Sequence, residues 1–158
     1  MTPNIMDLIL WRHADARDAR DGESDADRPL TSKGDRQAHR MAHWLNQNLP
    51  ATTRVLASPT LRTVQTVQAL GRKYKLIAEL APDQTVNALL SVVRWPEAKE
   101  PVLVVGHQFT LGLAAAYLMA GATQPWVVRK GAIWWLRCRH REAGTDVVLH
   151  TVLSPDRA

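Results

Sequence analysis

Basic side chains that suit a phosphoryl group follow three apolar segments of this 158-residue chain. Arg12 and His13 directly follow the first segment, and Arg62 lies shortly after the second. His107 follows the third. Guanidinium groups bind phosphoryl oxygens through paired N–H donors, and a neutral imidazole is a nucleophile towards phosphorus. These residue types indicate phosphoryl transfer, in which His13 would attack and carry the phosphoryl group until water releases it.

These side chains can meet only if the segments before them are neighbouring strands of one sheet. The predicted strands are residues 6–11, 54–57, 76–80, 102–105, 131–139 and 146–152. Helical patterns separate the first four, so strand and helix alternate. We predict an α/β fold with a mostly parallel central sheet, helices on both faces and a late antiparallel hairpin, in one domain over residues 1–158. Ligands bind such sheets beyond the carboxyl ends of the strands, where the basic residues lie.

Capping residues predict where the helices begin. Thr31 would cap the first helix, whose apolar residues recur at helical spacing, and Ser58 would cap the second. Asp83 would cap the third helix, and the fourth is predicted over residues 110–119. The second helix would present Arg62 in its first turn.

Composition and charge exclude several other classes of protein. The net charge is +5, but basic and aromatic residues do not interleave as on a nucleic-acid surface, so no nucleic-acid partner is predicted. The most apolar stretch, residues 102–122, is interrupted by Gly106 and His107, which favours a buried strand and helix over a membrane span. With a single cysteine, Cys138, and no secretory signal, we predict a cytoplasmic protein without a metal or cofactor.

Carboxylates in two regions are the remaining candidates for chemistry. The acidic residues before Arg28 lack the spacing of a calcium loop and are interpreted as solvated: Asp18, Asp21, Glu23, Asp25 and Asp27. Glu79 and Asp83 follow the third predicted strand, at the edge where the basic residues lie. Glu79 is our candidate general acid, whereas Asp83 is interpreted as a helix cap.

Several segments, in order along the chain, resemble the motifs of the histidine phosphatase superfamily. They are residues 8–16 with the Arg12-His13 pair, 28–34, 54–66 and 102–107, together with a late strand near 130–133. Within the superfamily, the chain most resembles the small SixA-type phosphohistidine phosphatases. The resemblance implies a phosphoglycerate mutase-like fold and a metal-independent phosphatase. It also implies that His13 is phosphorylated and that Arg12, Arg62 and His107 bind the phosphate. From its chemistry, we expect His107 to stabilise the phosphoryl oxygens in its protonated form.

Two departures from the family pattern shape the prediction of the substrate. Ala14 replaces the glycine that follows the nucleophile, and no carboxylate matches the acid of the larger family members. A phosphorylated imidazole is a better leaving group than an alkoxide, so the predicted substrate is phosphohistidine on a protein of the histidine phosphotransfer type. The alternatives are a phosphatase for small phosphomonoesters such as sugar phosphates, and a phosphate-binding module that lost turnover through Ala14.

Overall fold

A six-stranded sheet forms the centre of the molecule. The computed structural model describes residues 4–158. The strands are β1 (Asn4–Arg12), β2 (Arg54–Ala57), β3 (Lys75–Leu76), β4 (Val102–Gly106), β5 (Ile133–Arg141) and β6 (Gly144–Leu153). Their order across the sheet is β3-β2-β4-β1-β5-β6, with β1 to β4 mutually parallel and β5–β6 an antiparallel hairpin. The predicted α/β class, mostly parallel sheet and late hairpin are confirmed.

Helices cover both faces of this sheet, as predicted. They are α1 (Ser32–Asn48), α2 (Leu61–Gln68), α3 (Val86–Val93) and α4 (Gln108–Ala120). Side chains of β1 alternate between the faces: Leu8 and Leu10 pack with residues of α3 and α4, whereas Ile9 and Trp11 pack with residues of α1 and α2. The central strands of the sheet are therefore buried on both faces, and only their ends are open to a ligand.

The helix caps match the prediction at one helix of three. Thr31 caps α1, and its hydroxyl accepts a hydrogen bond from the N–H of Gly34 at 2.9 Å. The residue preceding α2 is Thr60 rather than Ser58, and α3 is capped by Thr85 rather than Asp83. Both predictions were wrong because a local pattern does not show whether the chain is still extended at the candidate cap.

The third strand is shorter than predicted. Only Lys75 and Leu76 pair with β2, and the chain then turns through a 3-10 turn, Ala78–Leu80. Leu80 is buried in the core by this turn, which an extended edge strand would not allow. The predicted strand over residues 76–80 is thus wrong beyond its first residue.

The apolar stretch that could have suggested a membrane segment forms β4 and α4, as predicted. Every residue of β4 is buried between the two helical layers. Among residues 4–158, no helix has both the length and the apolar character needed to cross a membrane.

Candidate active site

Three strand ends meet at the carboxyl edge of the sheet because β1, β4 and β2 are in register. The N–H of His13 donates to the carbonyl of Gly106 at 3.1 Å, and the N–H of Ser58 donates to the carbonyl of Val105 at 3.0 Å. This alignment brings the rings of His13 and His107 together, with centroids 5.4 Å apart. Residues separated by more than ninety positions in sequence thereby share one site.

The imidazole of His13 is buried and held in one orientation. Its Nδ1 lies 2.7 Å from the carbonyl oxygen of Ala14. Because a carbonyl only accepts, Nδ1 carries the hydrogen and Nε2 keeps its lone pair. Burial lowers the pKa of His13 to about 4; the bond to Ala14 opposes this shift, and the charges of Arg62 and Arg12 add to it. The ring is therefore neutral at pH 7.

His107 is neutral as well in the protein on its own. Burial, followed by the neighbouring His13 and Arg62, lowers the pKa of His107 to about 3. The prediction of a protonated ring concerned His107 with a phosphoryl group bound; in the protein on its own, a buried cation beside arginines is unfavourable. Its Nε2 lies 2.8 Å from the hydroxyl of Ser58, a residue that is fully buried.

The two arginines are anchored by their outer nitrogens and leave Nε free. Arg12 donates through Nη1 to the carbonyl of Val128 at 2.9 Å. Arg62 donates through Nη1 to the carbonyl of Asp25 at 2.8 Å and through Nη2 to its carboxylate at 3.0 Å. Both Nε groups are buried without a hydrogen-bond partner among residues 4–158. Buried donors without acceptors are costly, so an anion that accepts from them gains that energy.

Asp25 is the residue that sequence reasoning missed. It was interpreted as solvated, but it begins a 3-10 turn, Asp25–Asp27, and its carboxylate pairs with both Arg62 and Arg28. The contact with Arg28 is 2.9 Å. No sequence signal links Asp25 to Arg62, since these residues lie 37 positions apart with α1 and β2 between them, and the loop that carries Asp25 has no periodic pattern.

Glu79, the candidate general acid, lines a cavity to which none of the other candidate site residues contributes. Glu79 is exposed and lines a cavity of about 430 Å³ with Arg54 and Arg94. Asp83 instead lines a cavity of about 320 Å³ together with Asp25 and Thr60. Within residues 4–158, no group of three or more His, Cys, Asp or Glu side chains is arranged to hold a metal ion.

Ala14 fits the turn where the family has glycine. Its side chain is fully buried, and its N–H donates to the hydroxyl of Thr66 at 3.1 Å. Among residues 4–158, Arg94 is the one non-glycine residue with a positive φ, so the backbone at Ala14 is one that any residue adopts. The turn after the nucleophile therefore does not require glycine here.

Comparison with known proteins decides the family. Residues 8–87 match the model of the histidine phosphatase superfamily (branch 1). The chain belongs to this superfamily. This histidine phosphatase is 36% identical to phosphohistidine phosphatase SixA of Escherichia coli (strain K12) over 129 residues, which cover 76% of this chain and 78% of SixA. It is a phosphatase with the SixA-like, phosphoglycerate mutase-like fold that the sequence motifs implied.

Solved structures agree with this assignment. The protein histidine phosphatase SixA complexed with tungstate superposes on this histidine phosphatase with a TM-score of 0.77 and 31% identity, covering 96% of this chain and 98% of that one. A structure described as a putative phosphohistidine phosphatase SixA from Nakamurella multipartitia gives a TM-score of 0.74 and 29% identity, covering 96% and 97%.

Proposed function

We propose that this histidine phosphatase hydrolyses phosphohistidine on a protein through a phosphorylated His13. The observation that carries the proposal is the neutral imidazole of His13, whose Nδ1 is fixed by the carbonyl of Ala14 at 2.7 Å. Its Nε2 therefore has a free lone pair next to two arginines that can bind an anion. The name of the Escherichia coli relative, phosphohistidine phosphatase, supports the same class of substrate.

The reaction has two steps. In the first, Nε2 of His13 attacks the phosphorus, the bond from phosphorus to the substrate imidazole breaks, and the leaving nitrogen takes a proton from water. In the second, water attacks the phosphorus of phospho-His13 and the bonding electrons return to Nε2. One proton of that water stays on the released hydrogen phosphate, and the other neutralises the hydroxide left by the first step. The pKa of about 4 keeps His13 unprotonated at neutral pH, as a nucleophile must be.

The pocket stabilises the charge that spreads over the phosphoryl oxygens in both steps. Arg12 and Arg62 supply positive charge for this, and their buried Nε groups are donors without a hydrogen-bond partner within residues 4–158. A bound dianion would also raise the pKa of His107, because an adjacent negative charge favours the protonated ring. His107 would then add a third donor at the moment of reaction.

The carboxylates near the pocket favour phosphohistidine over a phosphomonoester. An alkoxide leaving group needs a proton from a general acid, whereas the nitrogen of a phosphorylated imidazole leaves with less help. Partial burial opposes ionisation of Asp25, but its bonds to Arg28 and Arg62 prevail and lower its pKa, so it is a carboxylate at pH 7 and a poor acid. Glu79 lines a different cavity.

Exposed apolar residues beside the pocket support a protein as the substrate. Phe109 is the second residue of α4, directly beyond His107, and is 74% exposed. Val127 is 67% exposed and precedes Val128, whose carbonyl anchors Arg12. Apolar side chains on the rim of a polar pocket suit contact with a protein surface around the phosphohistidine, such as a protein of the histidine phosphotransfer type.

The decisive experiment compares phosphate release from a phosphohistidine protein and from an alkyl phosphate. We expect fast release from the first substrate, a trapped phosphoenzyme in the wild type, and loss of both in His13→Ala. Faster release from the alkyl phosphate, together with loss of that activity in Glu79→Gln, would replace the proposal with a small-molecule phosphatase. Phosphate binding without turnover of either substrate would indicate a binding module.

A further inference from the structure

The carboxylate of Asp25 occupies a position where an anion would bind to Arg62. Both outer nitrogens of Arg62 donate to Asp25, one to its carbonyl at 2.8 Å and one to its carboxylate at 3.0 Å. The other carboxylate oxygen accepts from Nε of Arg28 at 2.9 Å. Arg62 is 3% exposed, so its guanidinium has little other access to a counter-ion.

The charges that surround the nucleophile show what this contact does. The charges of Arg62, Arg12 and Arg28 all contribute to the low pKa of His13, after burial of the ring. Both pocket histidines are neutral, and Asp25 is the counter-charge of Arg28 and Arg62. A phosphoryl dianion that enters the pocket therefore meets a carboxylate already bound to Arg62, and the two negative charges repel each other.

We propose that the carboxylate of Asp25 is an internal competitor for the phosphoryl group at Arg62, which weakens the binding of phosphate and so lets the product leave. The inference rests on the proposed function, because it takes Arg62 as a phosphate-binding residue. It adds the residue that sets the affinity of that site for phosphate.

The turn that carries Asp25 allows its carboxylate to move away from Arg62. The side chain of Asp25 is 62% exposed, and the 3-10 turn Asp25–Asp27 buries none of its residues. Releasing the carboxylate from Arg62 therefore uncovers no apolar core. Its contact with Arg28, whose Nη1 also donates to the carbonyl of Arg17 at 2.9 Å, gives the carboxylate a second cation to remain with.

The test is a calorimetric titration of inorganic phosphate into the full chain and its variants. In Asp25→Asn we expect phosphate to bind about tenfold more tightly than in the wild type, because one negative charge facing the dianion is lost. Asp27→Asn is the matched control: it removes the same charge from the same turn, but its carboxylate accepts from Ser24 at 2.9 Å. We expect its affinity to stay within about twofold of the wild type.

A charge-preserving variant separates competition from positioning. Asp25→Glu keeps the carboxylate and should bind phosphate as weakly as the wild type. Inhibition of turnover by phosphate should be stronger in Asp25→Asn than in the wild type or in Asp25→Glu. Unchanged or weaker binding in Asp25→Asn would overturn the proposal, since weaker binding would mean that Asp25 orients Arg62 for phosphate. An equal increase in phosphate affinity in Asp27→Asn would also overturn the proposal.

One further variant distinguishes failure of this inference from failure of the proposed function. Arg62→Ala should lose most of its phosphate affinity. If it does while Asp25→Asn binds like the wild type, the pocket stands and only the role of Asp25 is wrong. If Arg62→Ala binds phosphate like the wild type, the phosphate site itself is misassigned.

Discussion

The proposed phosphate pocket has two sides that are built differently. On the side formed by the ends of β1 and β4, His13 and Arg12 are held by neutral backbone carbonyls in a buried setting. On the other side, an exposed turn places Asp25 between Arg28 and Arg62, so that side is held by opposite charges. The first side is continuous with the sheet, and the second is a loop that packs none of its turn residues into the core.

The two sides control different properties: the buried side sets the reactivity of the histidines, and the exposed turn sets the affinity for anions. The buried strand ends lower the histidine pKa values through desolvation, which needs a dry and rigid setting. The exposed turn acts by charge across a short distance, an effect that water and salt weaken. Changes at the sheet edge should therefore abolish chemistry, whereas changes in the turn should alter how tightly anions bind.

The largest effect is expected at the nucleophile. His13→Ala should lower turnover of a phosphohistidine protein by about 10⁴-fold or more, because both steps pass through Nε2. The variant should remain folded, since the backbone bond of residue 13 to Gly106 is kept. A turnover assay measures the loss of activity, and circular dichroism shows whether the variant is folded. A folded variant that still forms a phosphoenzyme would place the nucleophile elsewhere.

The two arginines test the comparison directly. Arg12→Ala and Arg62→Ala should each lower kcat by about 10²–10³-fold, in line with the loss of a donor to transition-state charge. Arg62→Ala also leaves Asp25 without this partner, so replacing Asp25 by Asn in that background should recover part of the lost phosphate affinity. In the Arg12→Ala background, the same replacement should raise phosphate affinity as it does in the wild type. Turnover of Arg62→Ala within a few-fold of the wild type would contradict the site.

The buried side should also make stability depend on pH. The pKa of His13 is about 4 against an ordinary value of 6.5, so between these values the unfolded chain binds a proton that the folded chain does not. Stability therefore falls as pH is lowered from about 6.5 towards 4, by on the order of 3 kcal/mol from this residue. Urea unfolding at pH values near both ends of this range should show that the free energy of unfolding falls less in His13→Ala than in the wild type. Equal losses would contradict the low pKa.

The smallest effect is expected where the loop joins α1. Thr31→Ala removes the cap on the N–H of Gly34 and the 2.7 Å bond to the carboxylate of Asp15. A loss of about 1 kcal/mol is expected for a cap, which lowers Tm by roughly 2–4 °C in a chain of this size. Turnover should stay within about twofold, and thermal melting measures the change. A large loss of turnover instead would show that the loop positions the chemistry.

Local patterns were sufficient for the elements that carry the buried side of the pocket. The apolar runs before Arg12 and His107 predicted two strands, and parallel strands align their carboxyl ends, so these residues could be placed at one edge from sequence alone. The same reasoning failed at Ser58, which looked like a cap but is buried beside His107. Glu79 was placed at that edge, but the chain turns after β3 and carries it to another cavity.

By itself, the sequence determined the fold class, the family and the positions of His13 and His107 at the strand ends, because hydrophobic alternation and motif spacing are properties of neighbouring residues. Only the tertiary structure decided the neutral state of His107 in the protein on its own and the pairing of Asp25 with Arg62. A pKa depends on how much water surrounds a group, and an ion pair depends on where a loop returns. Both are set by the packing of distant segments, which no local pattern encodes.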